Sequence, residues 1–169
     1  AMNIFDILGP VMVGPSSSHT AGAVRIGLIT RRLLSQKPVS AEILLYGSFA
    51  ATGEGHGTDR ALVAGLLGMQ PDDMRIPDSF ELARKEGLEF VFGQTDLKDA
   101  HPNSVVLSVR GENGRELSVQ ASSLGGGRIM VNKLDGIDVN CSCEMPTLIV
   151  HNLDQPGHVC EVTSMLAHK

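Results

Sequence analysis

Residues 14–20 carry three hydroxyls in a row, then an imidazole and a fourth hydroxyl, in the order Gly-Pro-Ser-Ser-Ser-His-Thr. Pro15 fixes its own φ and biases Gly14 away from helix. Ser and Thr favour helix N-caps because their oxygens accept bonds from the free N–H groups of the first turn. The small-residue run at 21–29 is typical of a tightly packed helix. The segment therefore predicts a donor-rich helix start, and such starts attract carboxylates and phosphates. The pattern favours an anion-binding site over a helix N-cap that merely has more hydroxyl groups than capping requires.

A second segment, 53–59, repeats the combination of glycines, an imidazole and a hydroxyl before a small-residue helix. Glycine on each side of His56 would let a ligand or another backbone come close. A flexible loop with Thr58 as the helix cap is an equal alternative. A third segment, 101–103 (His-Pro-Asn), is alone more typical of a turn, and it gains weight because it shares residue types with the other two.

A fourth segment, 122–127, joins two serines to three consecutive glycines. Consecutive glycines beside hydroxyls can form an anion-binding nest, and a bulge or bend is an equal alternative. The segment lacks the Gly-Lys-Ser/Thr ending of a phosphate-binding loop. A nest and a bend both stay open as interpretations.

The histidines and cysteines do not have metal-site spacing. No helical or strand spacing brings any two of His19, His56 and His101 to one face, so a metal held by this chain alone is disfavoured. Cysteines at 141, 143 and 160 are one thiol short of the four that usually hold an iron–sulfur cubane. We therefore predict no metal site made by this chain alone.

Composition limits the partners. The 169 residues suffice for one ordinary domain and part of a second. A net charge of -5 without a Lys/Arg run argues against nucleic acid and anionic membranes as partners. No apolar stretch approaches the roughly 20 residues of a spanning helix, and the pattern of a signal peptide is absent. Three cysteines, an odd number, fit a reduced, cytoplasmic chain.

Periodicity and turn residues predict an α+β domain, with helices packed on a mixed sheet. Gly22 and Gly27 weaken the first helix, so we expect them to permit close backbone approach. Asn113-Gly114 is a strong hairpin signal between two strands. The predicted helices are 18–36, 58–67 and 78–85, the stretch 47–57 is a loop, and the strands are 39–46, 88–93, 104–110, 115–121 and 128–133.

The C-terminal stretch is typical of the start of a second unit. A boundary is expected at 141–146, followed by a strand at 147–151 and a helix that starts at 154–157 with Pro near its first position. One strand and one helix would not bury their apolar face alone. We therefore expect a first domain at 2–143 and the truncated start of a second domain at 146–169.

With its motifs in this order, the chain resembles the beta chain, or beta domain, of bacterial iron–sulfur-dependent L-serine dehydratase. The resemblance covers nearly the whole chain, and its Ser-Ser-Ser-His-Thr motif is specific. The tail at 152–157 (Asn-Leu-Asp-Gln-Pro-Gly) is similar to the start of an ACT domain, a small amino-acid-binding regulatory module. The matching segments are 4–10, 14–20, 55–59, 101–103 and 123–127.

The resemblance implies conversion of L-serine to pyruvate and ammonia with a [4Fe–4S] cluster. The cluster would be held by a separate alpha chain or domain, so the expected partners are that chain, L-serine and a second copy of this chain. His19 and His56 are candidate proton-transfer groups, because imidazole gains or loses a proton near neutral pH. The expected substrate-binding residues are Ser16, Ser17, Ser18, Thr20, Thr58 and Asn103, and the expected effector-binding residues are Ser123, Gly125, Gly126, Asn152, Asp154 and Gly157.

Two other functions stay open. The same motifs would bind serine as an effector if the chain were a non-catalytic regulatory module, like a similar domain of some 3-phosphoglycerate dehydrogenases. Alternatively, the chain is a scaffold for the alpha chain, and its Ser/His segments serve only contacts. Serine binding by the isolated chain favours the module, whereas weaker assembly with intact turnover per complex favours the scaffold.

Overall fold

Residues 17–52 and 57–142, the part of the chain that the computed structural model describes, form the α+β fold that the sequence predicts. The helices are α1 (Ser17–Leu34), α2 (Ser48–Thr52), α3 (Thr58–Leu66) and α4 (Ser79–Glu86), with a 3-10 turn at Ile76–Asp78. The strands are β1 (Pro38–Gly47), β2 (Glu89–Gln94), β3 (Asn103–Gly111), β4 (Glu116–Gly125), β5 (Arg128–Leu134) and β6 (Ile137–Cys141).

The strands form one mixed sheet in the order β2-β1-β3-β4-β5-β6. β1 and β2 are parallel, and each other neighbouring pair is antiparallel. A parallel pair needs a crossover connection, and α2, α3 and α4 lie in the connection from β1 to β2. The strands β3 and β4 are joined at Asn113-Gly114, so the predicted hairpin is confirmed.

One face of the sheet is apolar and carries the helices. Side chains alternate between the two faces of a strand, and the alternate residues that point to this face are buried. α1 packs on β4 and its neighbours, and α3 packs beside α1. The buried residues on the sheet face include Ala41, Ile43, Leu45, Val105, Leu107, Val109, Leu117, Val119, Ala121, Ile129 and Val131.

α1 and α3 approach each other until their backbones touch. A Cβ added to Gly27 would lie 2.8 Å from the Gly65 Cα, and a Cβ added to Gly65 would lie 2.8 Å from the Gly27 Cα. Real Cβ atoms do not come this close, so both positions require glycine in this packing. The expectation that Gly27 permits close approach is confirmed.

Two elements differ from the prediction. The stretch 47–57, predicted as a loop, contains α2, whose first N–H at Ser48 donates to the Pro102 carbonyl at 2.7 Å. This contact joins distant parts of the chain, so local signals do not predict it. The strand β6 follows a turn with positive φ at Asp135 and Gly136 (51° and 80°). Its mostly exposed residues lack the alternation that predicts a strand.

Three further expectations concern the C-terminal unit, the state of the cysteines and membrane-spanning helices. The second unit expected at 146–169 lies outside the described residues. Cys141 is disulfide-bonded, which differs from the expectation of reduced thiols. No helix in the described ranges combines the length and apolar character needed to cross a membrane.

Candidate functional site

The starts of α1 and α3 lie side by side. Thr20, in the first turn of α1, faces Gly57, the residue that caps α3, because a Cβ on Gly57 would lie 3.8 Å from Thr20 Oγ1. Toward the other ends of the helices, the Arg31 side chain donates to the Leu66 carbonyl at 2.8 Å. The two helices are therefore parallel, and the positive ends of their dipoles lie together.

The start of α3 contains a buried hydroxyl without a partner. Gly57 caps the helix in the left-handed conformation, with φ of 89° and no side-chain cap bond. Thr58 is therefore the first residue of the helix and not its cap, so the cap interpretation is wrong. Its side chain is buried, and its Oγ1 has no hydrogen-bond partner.

Asn103 and Ser123 lie beside each other at the end of the sheet next to the start of α1. Ser104 pairs with Ser122, so the next position in register sets Asn103 opposite Ser123. Opposed residues on neighbouring antiparallel strands point to one face, which here is the face that carries the helices. Ser123 also touches α1, because a Cβ on Gly22 would lie 2.9 Å from the Ser123 Cβ. The expectation that Gly22 permits close approach is confirmed.

Three buried side-chain polar atoms among the described residues have no hydrogen-bond partner: Thr58 Oγ1, Asn103 Oδ1 and Ser123 Oγ. Each belongs to a different predicted motif. Thr58 follows Gly57, which faces Thr20 of α1, and Ser123 touches Gly22 of α1. Asn103 lies opposite Ser123 in the strand register. A buried polar atom left without a partner costs about 1–3 kcal/mol. Three of them, placed around the first two turns of α1, indicate a site that a ligand or water completes.

The segment before Asn103 is fixed by its own hydrogen bonds. The Asn103 N–H donates to His101 Nδ1 at 3.0 Å, and the Pro102 carbonyl accepts the Ser48 N–H at 2.7 Å. Gly47 has a positive φ of 65°, and a side chain there would collide with Pro102. The exposed His101 ring therefore supports the backbone of Asn103.

Gly125, Gly126 and Gly127 form the tight turn between β4 and β5. Their φ angles are 95°, 64° and 78°, and a type I′ hairpin turn requires positive φ at both central residues. The turn lies beside α1, because a Cβ on Gly127 would lie 3.8 Å from the Ala21 Cβ. The bend interpretation accounts for the backbone of these glycines, and their effector role stays a prediction.

The remaining predicted residues divide into two groups. Residues 17–20 form the first turn of α1, so the predicted helix start is confirmed. The other group lies outside the described residues and keeps its roles as predictions: Ser16, His56, Asn152, Asp154 and Gly157.

Asp59 is a buried carboxylate at the α3 start, and its residue type and position alone do not predict a role for it. Its Oδ1 accepts the Arg60 backbone N–H at 2.7 Å. The Arg60 side chain in turn donates from Nε to the Pro77 carbonyl at 3.0 Å, which ties the α3 start to the 3-10 turn. The only signal in the sequence is the position of Asp59 directly after Thr58 in the 55–59 motif.

The described residues do not fit a [4Fe–4S] cluster. Within the described ranges, no group of three or more His, Cys, Asp or Glu side chains is arranged to hold a metal ion. Cys141, the single cysteine in these ranges, is already disulfide-bonded, whereas such clusters take Cys thiolates.

Known proteins are similar to this chain along most of its length. The family model described as serine dehydratase beta chain matches residues 3–86. The L-serine dehydratase beta chain of Peptoniphilus asaccharolyticus is 46% identical over 163 residues, which cover 96% of this chain and 73% of that protein. The probable L-serine dehydratase beta chain of Bacillus subtilis is 41% identical over 165 residues, covering 98% and 74%. L-serine dehydratase 2 of Escherichia coli is 30% identical over 192 residues, covering 97% of this chain and 41% of that longer protein.

Replacing Thr58 tests whether its buried hydroxyl lacks a partner in the folded protein. We expect Thr58→Val to leave the free energy of unfolding unchanged or to raise it by up to about 1 kcal/mol, because the desolvated hydroxyl is removed. Thr30→Val is the matched control, since the buried Thr30 hydroxyl donates to the Ile26 carbonyl at 2.8 Å. The control is expected to lose about 0.5–1.5 kcal/mol. Urea denaturation of the full chain measures both, and an equal loss in the two variants contradicts the assignment.

Proposed function

The chain belongs to the serine dehydratase beta chain family, and on this basis we propose that the site at the starts of α1 and α3 binds L-serine for conversion to pyruvate and ammonia. The chain is the beta chain of an L-serine dehydratase, and so a subunit of an L-serine ammonia-lyase. The family gives the reaction, and the geometry around α1 supports the place at which serine binds.

One observation carries the proposal: the three unpartnered polar atoms come from three separate motifs and lie around one pair of helix starts. Buried polar groups in folded proteins nearly always have partners. Thr58 Oγ1, Asn103 Oδ1 and Ser123 Oγ therefore indicate a place where a small polar molecule supplies the missing partners. The paired positive helix ends favour a molecule that carries an anionic group.

L-serine has the groups that this site lacks. Its carboxylate accepts hydrogen bonds, its ammonium donates them, and its hydroxyl does both. The Thr58 hydroxyl and the N–H groups at the helix starts suit the carboxylate. Asn103 Oδ1, an acceptor, suits the ammonium or the hydroxyl of serine.

The reaction also needs proton transfer. Dehydration removes the α-proton and the β-hydroxyl of serine as water and leaves 2-aminoacrylate, which tautomerises to an imine and is hydrolysed to pyruvate and ammonia. His19 and His56 are the candidate groups for the proton. The residues that directly follow them in the sequence, Thr20 and Gly57, face each other across the two helix starts. This contact between their sequence neighbours supports the proposal that both histidines serve one site.

The proposal gives the other half of the enzyme to an alpha chain. The described residues do not offer ligands for the [4Fe–4S] cluster that the family resemblance implies, so we assign the cluster to that chain. The names of the Peptoniphilus and Bacillus relatives as beta chains suit this arrangement. A second copy of this chain, a cytoplasmic location, a dehydratase domain at 2–143 and the start of an ACT domain at 146–169 complete the proposal.

Substituting Thr58 in the assembled enzyme tests the serine site. We expect Thr58→Val to lower kcat/KM for L-serine about 10- to 100-fold, because a hydrogen bond to a charged group contributes about 1.5–3 kcal/mol. Thr30→Val, the same change at a buried position of α1 whose hydroxyl already has a partner, is expected to keep kcat/KM. Steady-state pyruvate formation by the anaerobic alpha–beta complex measures both. Equal kcat/KM in the two variants contradicts a serine site at Thr58.

Alanine at His19 or His56 tests the proton-transfer roles. A general acid or base contributes about 100- to 10,000-fold to a rate, so at least one of the two variants is expected to lose turnover by that factor. Turnover is normalised to the amount of assembled complex, which separates catalysis from scaffolding. Near-normal turnover per complex in both variants excludes these roles, and a loss confined to assembly favours the scaffold function.

A further inference from the structure

We propose that Ser104, Ser122 and Asn132 form a hydrogen-bonded chain that runs from Asn132 to the carbonyl of His101 and positions Asn103 for L-serine. The three are positioning residues, because they lie on the face of the sheet opposite to Asn103 and Ser123. The last part of this inference rests on the proposed function, in which Asn103 contacts serine.

The chain crosses three neighbouring strands, from β5 through β4 to β3. Ser122 Oγ lies 2.8 Å from the amide oxygen position of Asn132 and 3.0 Å from Ser104 Oγ. Ser104 Oγ lies 2.6 Å from the His101 carbonyl oxygen. The Ser104 and Ser122 side chains are 0% and 1% exposed. Water therefore does not replace these contacts, and the groups must satisfy one another.

Counting hydrogens fixes the direction of the chain. The His101 carbonyl only accepts, so the single hydroxyl hydrogen of Ser104 must go to it. The Ser122 hydroxyl hydrogen must then go to Ser104 Oγ. The remaining contact, from Ser122 to Asn132, has a hydrogen only if the Asn132 amide presents its NH2 group. The O and N of an amide are distinguished by such networks and not by their shape. We therefore assign the atom of Asn132 beside Ser122 as Nδ2, so that every donor points toward His101.

The end of this chain holds the segment that carries Asn103. The His101 carbonyl accepts from Ser104, the His101 ring accepts the Asn103 N–H, and the Pro102 carbonyl accepts the Ser48 N–H. Asn103 and Ser104 are adjacent in β3, so their side chains point to opposite faces. Ser104 therefore anchors the strand from one face while Asn103 Oδ1 points to the other, where it lacks a partner. Fully satisfied buried networks of this kind fix a single local conformation.

Two variants test the chain at different points. Ser122→Ala removes its central link. Asn132→Asp keeps the shape of the side chain but replaces the proposed donor with an acceptor, so Ser122 would donate to it and Ser104 would lose its incoming bond. If the amide pointed the other way, Asn132→Asp would keep the contact and have no effect. Ser108→Ala is the control, because Ser108 lies on the same face of β3 and outside the chain.

Amide exchange in the full chain gives the first readout, and serine kinetics of the alpha–beta complex give the second. Both variants are expected to speed exchange of the Ser48 amide at least about fivefold, while amides at the centre of β3 keep their rates. They are also expected to raise KM for L-serine about tenfold with little change in kcat, as expected for the loss of about one hydrogen bond. The control is expected to change neither.

The outcomes separate the chain from the proposed function. Unchanged Ser48 exchange in either variant overturns the hydrogen-bonded chain. Faster exchange with a higher KM supports the whole inference. Faster exchange with wild-type serine kinetics, both in these variants and in Asn103→Ala, overturns the role of Asn103 in serine binding and supports the chain as an anchor of the 101–103 segment.

Discussion

The backbone contact between α1 and α3 determines where the polar motifs meet. Gly27 and Gly65 let the two helices touch without side chains between them. Because the helices are parallel, this contact sets their starts side by side, with Thr20 against the cap of α3. Two positive helix ends brought together repel each other, and an anion between them offsets that cost. The packing of the helices therefore places two partial positive charges together, and a carboxylate ligand would offset them.

At this end of the fold, buried polar groups lack hydrogen-bond partners on one side of the sheet and have them on the other. On the helix-covered side, Thr58 of α3 and the strand residues Asn103 and Ser123 each keep a polar atom without a partner. On the other face, Ser104 and Ser122 belong to a network in which each oxygen has a partner. An incomplete set of hydrogen bonds costs stability, whereas a complete set fixes conformation. This contrast fits a binding site in which a complete hydrogen-bond network fixes the backbone and the unpartnered polar atoms bind a ligand.

Local signals in the sequence predict the helices and strands better than they predict which of these elements come into contact. The helix predicted at 18–36 is α1, and the Asn113-Gly114 turn joins β3 to β4 as predicted. The sequence does not predict β6, because the residues of this strand are mostly exposed. It does not predict α2 either, because the first N–H of α2 donates to the carbonyl of Pro102, in a distant part of the chain.

The composition of the site was predictable, but its geometry was not. The shared residue types of the motifs predict one assembled site, and three of the motifs each contain one of the unpartnered atoms. Ser123 touches Gly22 of α1, whereas the glycines that follow Ser123 form a turn. This difference depends on strand register and helix packing, which local residue types do not encode. The direction of the hydrogen-bonded chain depends in the same way on three strands being neighbours.

If L-serine binds at the two helix starts, it supplies the partners that the buried polar atoms there lack. A high-resolution structure of the alpha–beta complex with L-serine bound measures this. We expect the serine carboxylate within hydrogen-bond distance of Thr58 Oγ1, with Asn103 Oδ1 bonded to the ammonium or hydroxyl of the same molecule. Serine bound elsewhere, with Thr58 and Asn103 still without partners, would rule out this binding site.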